Sequence, residues 1–227
     1  MEIIKRTDKK IVYKLPDFSV VNSAFVDSLD WPEGINVQMF LFEKPITGEH
    51  EVMPGIHSER LVGLGYSCTP VTVGHIAVPL PAGLVPVNLE AGRLRQFYYD
   101  THMEFYNKWE SELGAGYMKE ANMVSEKLLS PASSAAVAKG GRNVALLTTV
   151  KWKDCLDQPA DWVTWVWIDP TLAKDERNAI RSYFSKWLVD NSANKVQCFI
   201  NAFNVRSQKF FRRIGFLPEW FHVVKNK

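Results

Sequence analysis

The chain is short of cysteine and lacks any long apolar run, and both shortages exclude whole classes of protein. Among 227 residues there are 3 cysteines, Cys68, Cys155 and Cys198, an odd number set far apart. A disulfide framework needs closely managed pairs, so a reducing compartment is expected. None of the 5 histidines (His50, His57, His75, His102, His222) stands at metal-ligand spacing from a cysteine or another histidine. No metal is therefore expected. No stretch reaches the ~18 apolar residues of a membrane helix. The opening MEIIKRTDKK has no apolar core of signal-peptide length behind its charges. These absences set the expectation of a cytoplasmic protein with no membrane partner. Charge of one sign is also lacking. With 27 basic and 25 acidic residues the net is +2, which gives no clear nucleic-acid signal.

What is present is material for a core. Hydrophobic residues make up 46% and aromatics 12% of the chain, ample for a packed interior. The length fits one large domain, or one domain with an extension. Residues 1–84 read as a β-rich N-terminal extension or small domain. Its expected strands are Ile11 to Leu15, Ile35 to Glu43, Arg60 to Cys68 and Val71 to Pro79. Turns rich in proline and glycine separate them, among them Trp31-Pro32-Glu33-Gly34 and Pro54-Gly55. Only Val20 to Leu29 has a helical texture.

From residue 85 the texture changes. A short strand over Val85 to Leu89 precedes a helix in which Tyr98, Phe105, Trp109 and Leu113 share a face. Tyr117, Ala121, Val124 and Leu128 predict a second helix ended by Pro131. The runs Ser134 to Ala138 and Val144 to Trp152 flank Gly140-Gly141, a hairpin signal. Asp161 to Asp169 (DWVTWVWID) is nearly all β-branched or aromatic and predicts a strand buried on both faces. In it, Trp165 and Trp167 point one way and Trp162 the other, most simply into core. Ile180, Tyr183, Phe184, Trp187 and Leu188 predict an amphipathic helix, and Val196 to Phe203 a central strand. Asn204 then caps a helix from Val205 to Ile214 that Gly215 terminates. Trp220 to Val224 closes the chain as a strand. The fold class expected is α/β (α+β), a mixed central sheet flanked by helices.

The last segment reads strand, Asn204, a basic and aromatic helix, then Ile214-Gly215-Phe216. Asn204, Ser207, Phe210, Phe211, Gly215 and Phe216 stand at spacings that resemble the GNAT superfamily of N-acyltransferases, whose cofactor helix carries Asn, a small residue, an apolar residue, usually Tyr, Gly and Phe. Ile168-Asp169-Pro170 is similar to the family's strand end. The resemblance covers residues 85–227. It implies a GNAT-like domain that moves an acyl group, acetyl foremost, from acetyl-CoA or another acyl-CoA to an amine-bearing acceptor. It also implies that Val166, Trp167 and Ile168 offer main-chain groups to the pantetheine arm, where a splayed strand pair leaves them open. By the same resemblance Lys174, Arg177, Asn178 and Arg181 meet the diphosphate at a loop spanning Pro170 to Arg177, and Asn204, Ser207 and Phe211 line the thioester end. Asp161 lies near where the family keeps a carboxylate and is the expected catalytic base.

Two residues patterns depart from the family. LAKDERNAIRS replaces its glycine-bearing loop, so Asp175 and Glu176 bring carboxylates to a helix start suited to phosphate. Phe211 stands where a proton-donating Tyr is frequent. They motivate an alternative reading, a non-catalytic interaction or structural module that has lost its cofactor. A related fold using another donor, such as an aminoacyl carrier, is a third. The stripe Arg206, Lys209 and Arg213 is either a solvated face or a phosphate-reading one. Cys198, on a central strand, is expected to be inert. Acceptor identity and oligomeric state leave no mark on the sequence.

Overall fold

A computed structural model describes residues 1–16, 23–43, 60–68, 78–109, 128–201 and 204–225. The chain opens with β1 (Glu2–Arg6), β2 (Lys10–Leu15), α1 (Ser23–Asp27), β3 (Val37–Phe42) and β4 (Arg60–Cys68). It continues with β5 (Leu84–Val87), α2 (Ala91–Lys108), a 3-10 turn at Pro131–Ser133, β6 (Ser134–Lys139), β7 (Arg142–Lys153) and β8 (Pro159–Ile168). It ends with α3 (Lys174–Asn191), β9 (Lys195–Asn201), α4 (Val205–Arg213) and β10 (Leu217–Lys225). The mixed α+β class expected from the sequence is the class observed.

These elements form two compact units that interleave along the chain. The first holds Met1–Cys68, Lys153–Gln158 and Gln197–Lys227; the second holds Thr69–Trp152 and Pro159–Val196.

In the first unit the strands run in the order β1-β2-β3-β10-β4-β9. β2 and β3 are parallel, whereas β1–β2, β3–β10 and β10–β4 are antiparallel. The last strand of the chain thus lies between two strands from its beginning. Register explains why the pairing is firm. Tyr13 is opposite Phe40 and Phe40 opposite Phe221. Their rings stack at 5.1 and 4.5 Å, the cross-strand aromatic pairing that specifies a sheet register. Phe25 of α1 caps Phe40 edge-on at 5.4 Å. β1 was not expected from the sequence, and α1 is shorter than the Val20 to Leu29 texture implied.

In the second unit the order is β5-β6-β7-β8. Gly140 and Gly141 have φ of 57° and 79°, the left-handed pair that a two-residue hairpin requires. The hairpin expected there is present. α2 packs through Leu94 and Tyr98 onto Ala136, Leu146 and Leu89, with Trp165 beside them. Trp109 is its C-cap. Leu113, the expected helix from Tyr117, and most of the expected strand from Val71 fall outside the described residues.

Two sequence expectations need correction here. β8 is not buried on both faces, since every residue from Thr164 to Ile168 is half-buried. α3 begins at Lys174 rather than Asn178, so the loop after β8 is shorter than Pro170 to Arg177. The Lys-Asp-Glu-Arg run suits a first helical turn, because its carboxylates favour the positive end of the helix dipole.

Candidate functional site

Sequence reasoning placed its site residues on β8, the start of α3 and the start of α4. The first two lie in the second unit and the last in the first unit.

At the end of β8, the Trp167 indole N–H donates to Glu104 Oε2 at 3.1 Å and its ring meets Phe97 edge-on at 5.6 Å. Trp165 donates to the Thr101 hydroxyl at 2.8 Å and stacks on His102 at 3.5 Å. Both tryptophans therefore hydrogen-bond to α2 while staying half-buried. His102 donates from Nδ1 to the Tyr98 carbonyl at 3.0 Å. Burial pushes its pKa down to about 4, against a small opposing effect of that hydrogen bond. Val166 and Ile168 are half-buried.

Asp169 closes β8. Its N–H reaches the Val144 carbonyl at 2.9 Å, and its Oδ1 accepts from Thr171 N–H at 2.8 Å. Arg142 pairs with Oδ2 at 2.7 Å. Burial alone would raise this carboxyl, but the hydrogen bonds from Thr171 and Arg142 outweigh it and hold it below the ordinary range. The residue shapes the turn into α3.

At the start of α3, Glu176 Oε2 accepts the Ala173 N–H at 3.1 Å, while Oε1 meets Lys139 Nζ at 2.7 Å. The hydrogen bond from Lys139, then that from Ala173, keeps this carboxyl below its ordinary range. The helix start thus carries its own carboxylate. Arg177 turns its guanidinium back onto the carbonyls of Pro170 and Leu172. Arg181 donates to Asn178 Oδ1. Lys174 is exposed. The structure brings Lys174, Arg177, Asn178 and Arg181 together on the first two turns.

Asp161 is elsewhere. It sits five residues before Val166 on the same strand, about 17 Å away at ~3.3 Å per residue. Only 3% exposed, it accepts from Lys151 Nζ at 2.9 Å and from the N–H groups of Ala193 and Asn194, each at 3.2 Å. These contacts tie the turn after α3 to the start of β8.

At the start of α4, Asn204 Oδ1 accepts the Ser207 N–H at 3.1 Å, the cap its position implied. Phe211 is 5% exposed and meets Phe216 edge-on at 5.0 Å. Gly215 has φ of 93°, and Phe216 N–H returns to the Phe211 carbonyl at 3.0 Å, the left-handed stop of a helix. Arg206, Lys209 and Arg213 are exposed.

Sequence reasoning passed over the polar residues of the first unit's sheet. Gln197 and Ser67 are 1% and 2% exposed. Phe199 stacks on His222 at 4.0 Å, and burial pushes the His222 pKa down to about 3. The available signal was polar alternation in β9, where Gln197 and Asn201 interrupt an apolar strand.

No family model and no curated protein matches the chain. Among solved structures it is similar to a GCN5-related N-acetyltransferase from Kribbella flavida, with 13% identity over 86% of this chain and 70% of that one, and a TM-score of 0.43. A GCN5-related N-acetyltransferase from Sphaerobacter thermophilus is similar at 11% identity over 83% of this chain and 59% of its own, with a TM-score of 0.47. A tandem GNAT protein from the clavulanic acid biosynthesis pathway is similar at 9% identity, covering 85% of this chain and 65% of that one, with a TM-score of 0.45. Each likeness is one of fold and extends no further.

Among the described residues, no group of three or more His, Cys, Asp or Glu side chains is placed to hold a metal ion. No described helix is long and apolar enough to cross a membrane.

Proposed function

We propose that the chain is an N-acyltransferase of the cytoplasm that moves an acyl group, acetyl in the simplest case, from coenzyme A to an amine. The observation that carries this reading is the fold of the last segment. A strand, an Asn204 side chain capping Ser207, an aromatic helix and the Gly215 stop occur in the order the resemblance requires.

In this reading the amine nitrogen attacks the thioester carbonyl, the new C–N bond forms, the C–S bond breaks, and the ammonium proton goes to solvent or to a base while coenzyme A leaves as its thiol. Main-chain groups of Val166 to Ile168 would serve the pantetheine amides in the second unit. By the resemblance alone, Asn204 and Ser207 are the residues for the thioester arm. Lys174, Arg177, Asn178 and Arg181 supply the donors and positive charge for a diphosphate. Asp175 and Glu176 oppose it, so binding requires Glu176 to leave the Ala173 N–H.

Calorimetric titration with acetyl-CoA and with coenzyme A tests the proposal. Binding of both, with thiol release when amines are added, is expected. No heat at ~1 mM ligand, a limit equivalent to about −4 kcal/mol, would remove it.

One observation favours a second reading, a GNAT-like module without catalysis. Glu176 occupies the helix start and Arg177 is spent on the carbonyls of Pro170 and Leu172. Absence of any coenzyme A binding by a well-folded protein is its signature.

A further inference from the structure

We propose that the first unit carries an amine-binding site on the face of β4, β9 and β10, built from Ser67, Gln197, Asn201 and His222 with the rings of Phe199 and Trp220 beside them. It deepens the acyl-transfer reading by naming where the acceptor amine is held, and in that identification rests on it.

The strands themselves place these residues together. β4 lies between β10 and β9. Opposite His222 and Trp220, β4 presents Gly63 and Gly65, which have no side chains. Phe199 of β9 therefore reaches across the intervening strand, stacking on His222 at 4.0 Å and on Trp220 at 6.0 Å. Gln197 and Asn201 alternate with Phe199 and share its face. Ser67 continues the row of Gly63 and Gly65.

On that face several buried polar atoms lack a hydrogen-bond partner: Ser67 Oγ, Gln197 Oε1, Asn201 Oδ1 and His222 Nε2. An orphaned buried atom costs about 1–3 kcal/mol, so a native protein rarely keeps a row of them without a use. All four of these atoms can accept. The amide oxygens only accept, and the neutral His222 ring and the Ser67 hydroxyl can accept as well. A ligand rich in N–H donors satisfies them, and aromatic faces beside it attract a cation within ~6 Å. A primary ammonium meets both demands. Phe199 and His222 are half-buried.

The test uses the full-length protein with benzylammonium chloride as probe and benzyl alcohol as its uncharged control, followed by tryptophan fluorescence and calorimetry. Benzylammonium is expected to bind, with the alcohol about tenfold weaker. Gln197→Met should weaken the ammonium about tenfold, and Gln197→Glu should tighten it about fivefold by supplying a counter-charge. Substitutions that merely disturb folding would not move affinity in opposite directions, and thermal melts of both variants check that they fold. Phe199→Leu should weaken binding while leaving coenzyme A titration unchanged. Equal binding of ammonium and alcohol, no ammonium binding, or indifference to both Gln197 variants overturns the site and assigns the orphaned atoms to water. Coenzyme A is titrated in the same protein. If it binds while the amine results fail, the acyl-transfer reading stands without this site; if the amine binds as expected and coenzyme A does not, the site stands and that reading falls.

Discussion

The indole N–H of Trp165 donates to the Thr101 hydroxyl at 2.8 Å, a polar contact between β8 and α2 inside an aromatic layer. Thr101 is 3% exposed and passes its own proton to the Phe97 carbonyl at 2.9 Å. Thr101→Val keeps the shape but strands the indole N–H. It should cost about 1–2 kcal/mol in urea unfolding. Thr101→Ser, which keeps the hydroxyl, should stay near wild type. Equal losses in both variants would mean that the methyl group, not the hydrogen bond, supports the contact.

His102, stacked on the other face of that indole, makes stability depend on pH. Its folded pKa is pushed down by burial to about 4, below the ~6.5 of an unfolded chain. The unfolded state therefore binds the proton first. The neutral ring's contribution is fully present above pH ~6.5, falls as pH drops below it, and is exhausted near the folded value. At ~1.4 kcal/mol per unit the loss over ~2.5 units comes to about 3.5 kcal/mol. His222, pushed down to about 3 by burial, acts in the same direction. Chemical unfolding of wild type and His102→Asn at pH 7 and pH 5 should show a smaller acid loss in the variant. Parallel acid losses would place the titration elsewhere.

Locally encoded features were legible and long-range ones were not. Gly140-Gly141, Asn204 and Gly215 act through their own backbone preferences, so the hairpin and the α4 cap could be read directly. The start of α3 could not, because Ala173 is no capping residue and the cap comes from Glu176 three positions on. Nothing local in Trp220 to Val224 announces that the strand inserts between β3 and β4. Asp161 was a candidate base through the resemblance alone; its hydrogen bonds to Lys151, Ala193 and Asn194, 10, 32 and 33 residues away, could not be read from its own strand. Gln197 and Asn201 looked like ordinary strand residues until the sheet put Gly63 and Gly65 alongside.

Asp161 can be assigned by separating stability from turnover. Asp161→Ala removes the acceptor of two backbone N–H groups and of Lys151, and should destabilise the fold by roughly 2–3 kcal/mol, because hydrogen bonds to a charged acceptor are the stronger kind. Asp161→Asn keeps an acceptor oxygen and should lose less. In an acyl-transfer assay normalised to folded protein, the Asn variant is expected to keep kcat. A fall of 100-fold or more in kcat with native stability would instead make it the general base.

Residues 1–68 are needed for the end of the chain to fold. β10 pairs with Val37–Phe42 on one side and Arg60–Cys68 on the other, and Trp220, Phe221 and Val223 are 2%, 0% and 0% exposed. Removing the first segment leaves β10 without either of those neighbours and uncovers Phe221 where it stacked on Phe40 at 4.5 Å. Exposing such side chains costs ~1.5–3 kcal/mol each, a large part of the ~5–15 kcal/mol that holds a domain together. A fragment starting at Thr69 should therefore lack the native near-UV circular dichroism of Trp220 and Phe221, and the unfolding transition that follows it. Adding residues 1–68 as a separate peptide should restore it in part, since the pairing is non-covalent. A fragment that melts cooperatively by itself, with native aromatic signals, would show that β10 does not depend on its N-terminal neighbours.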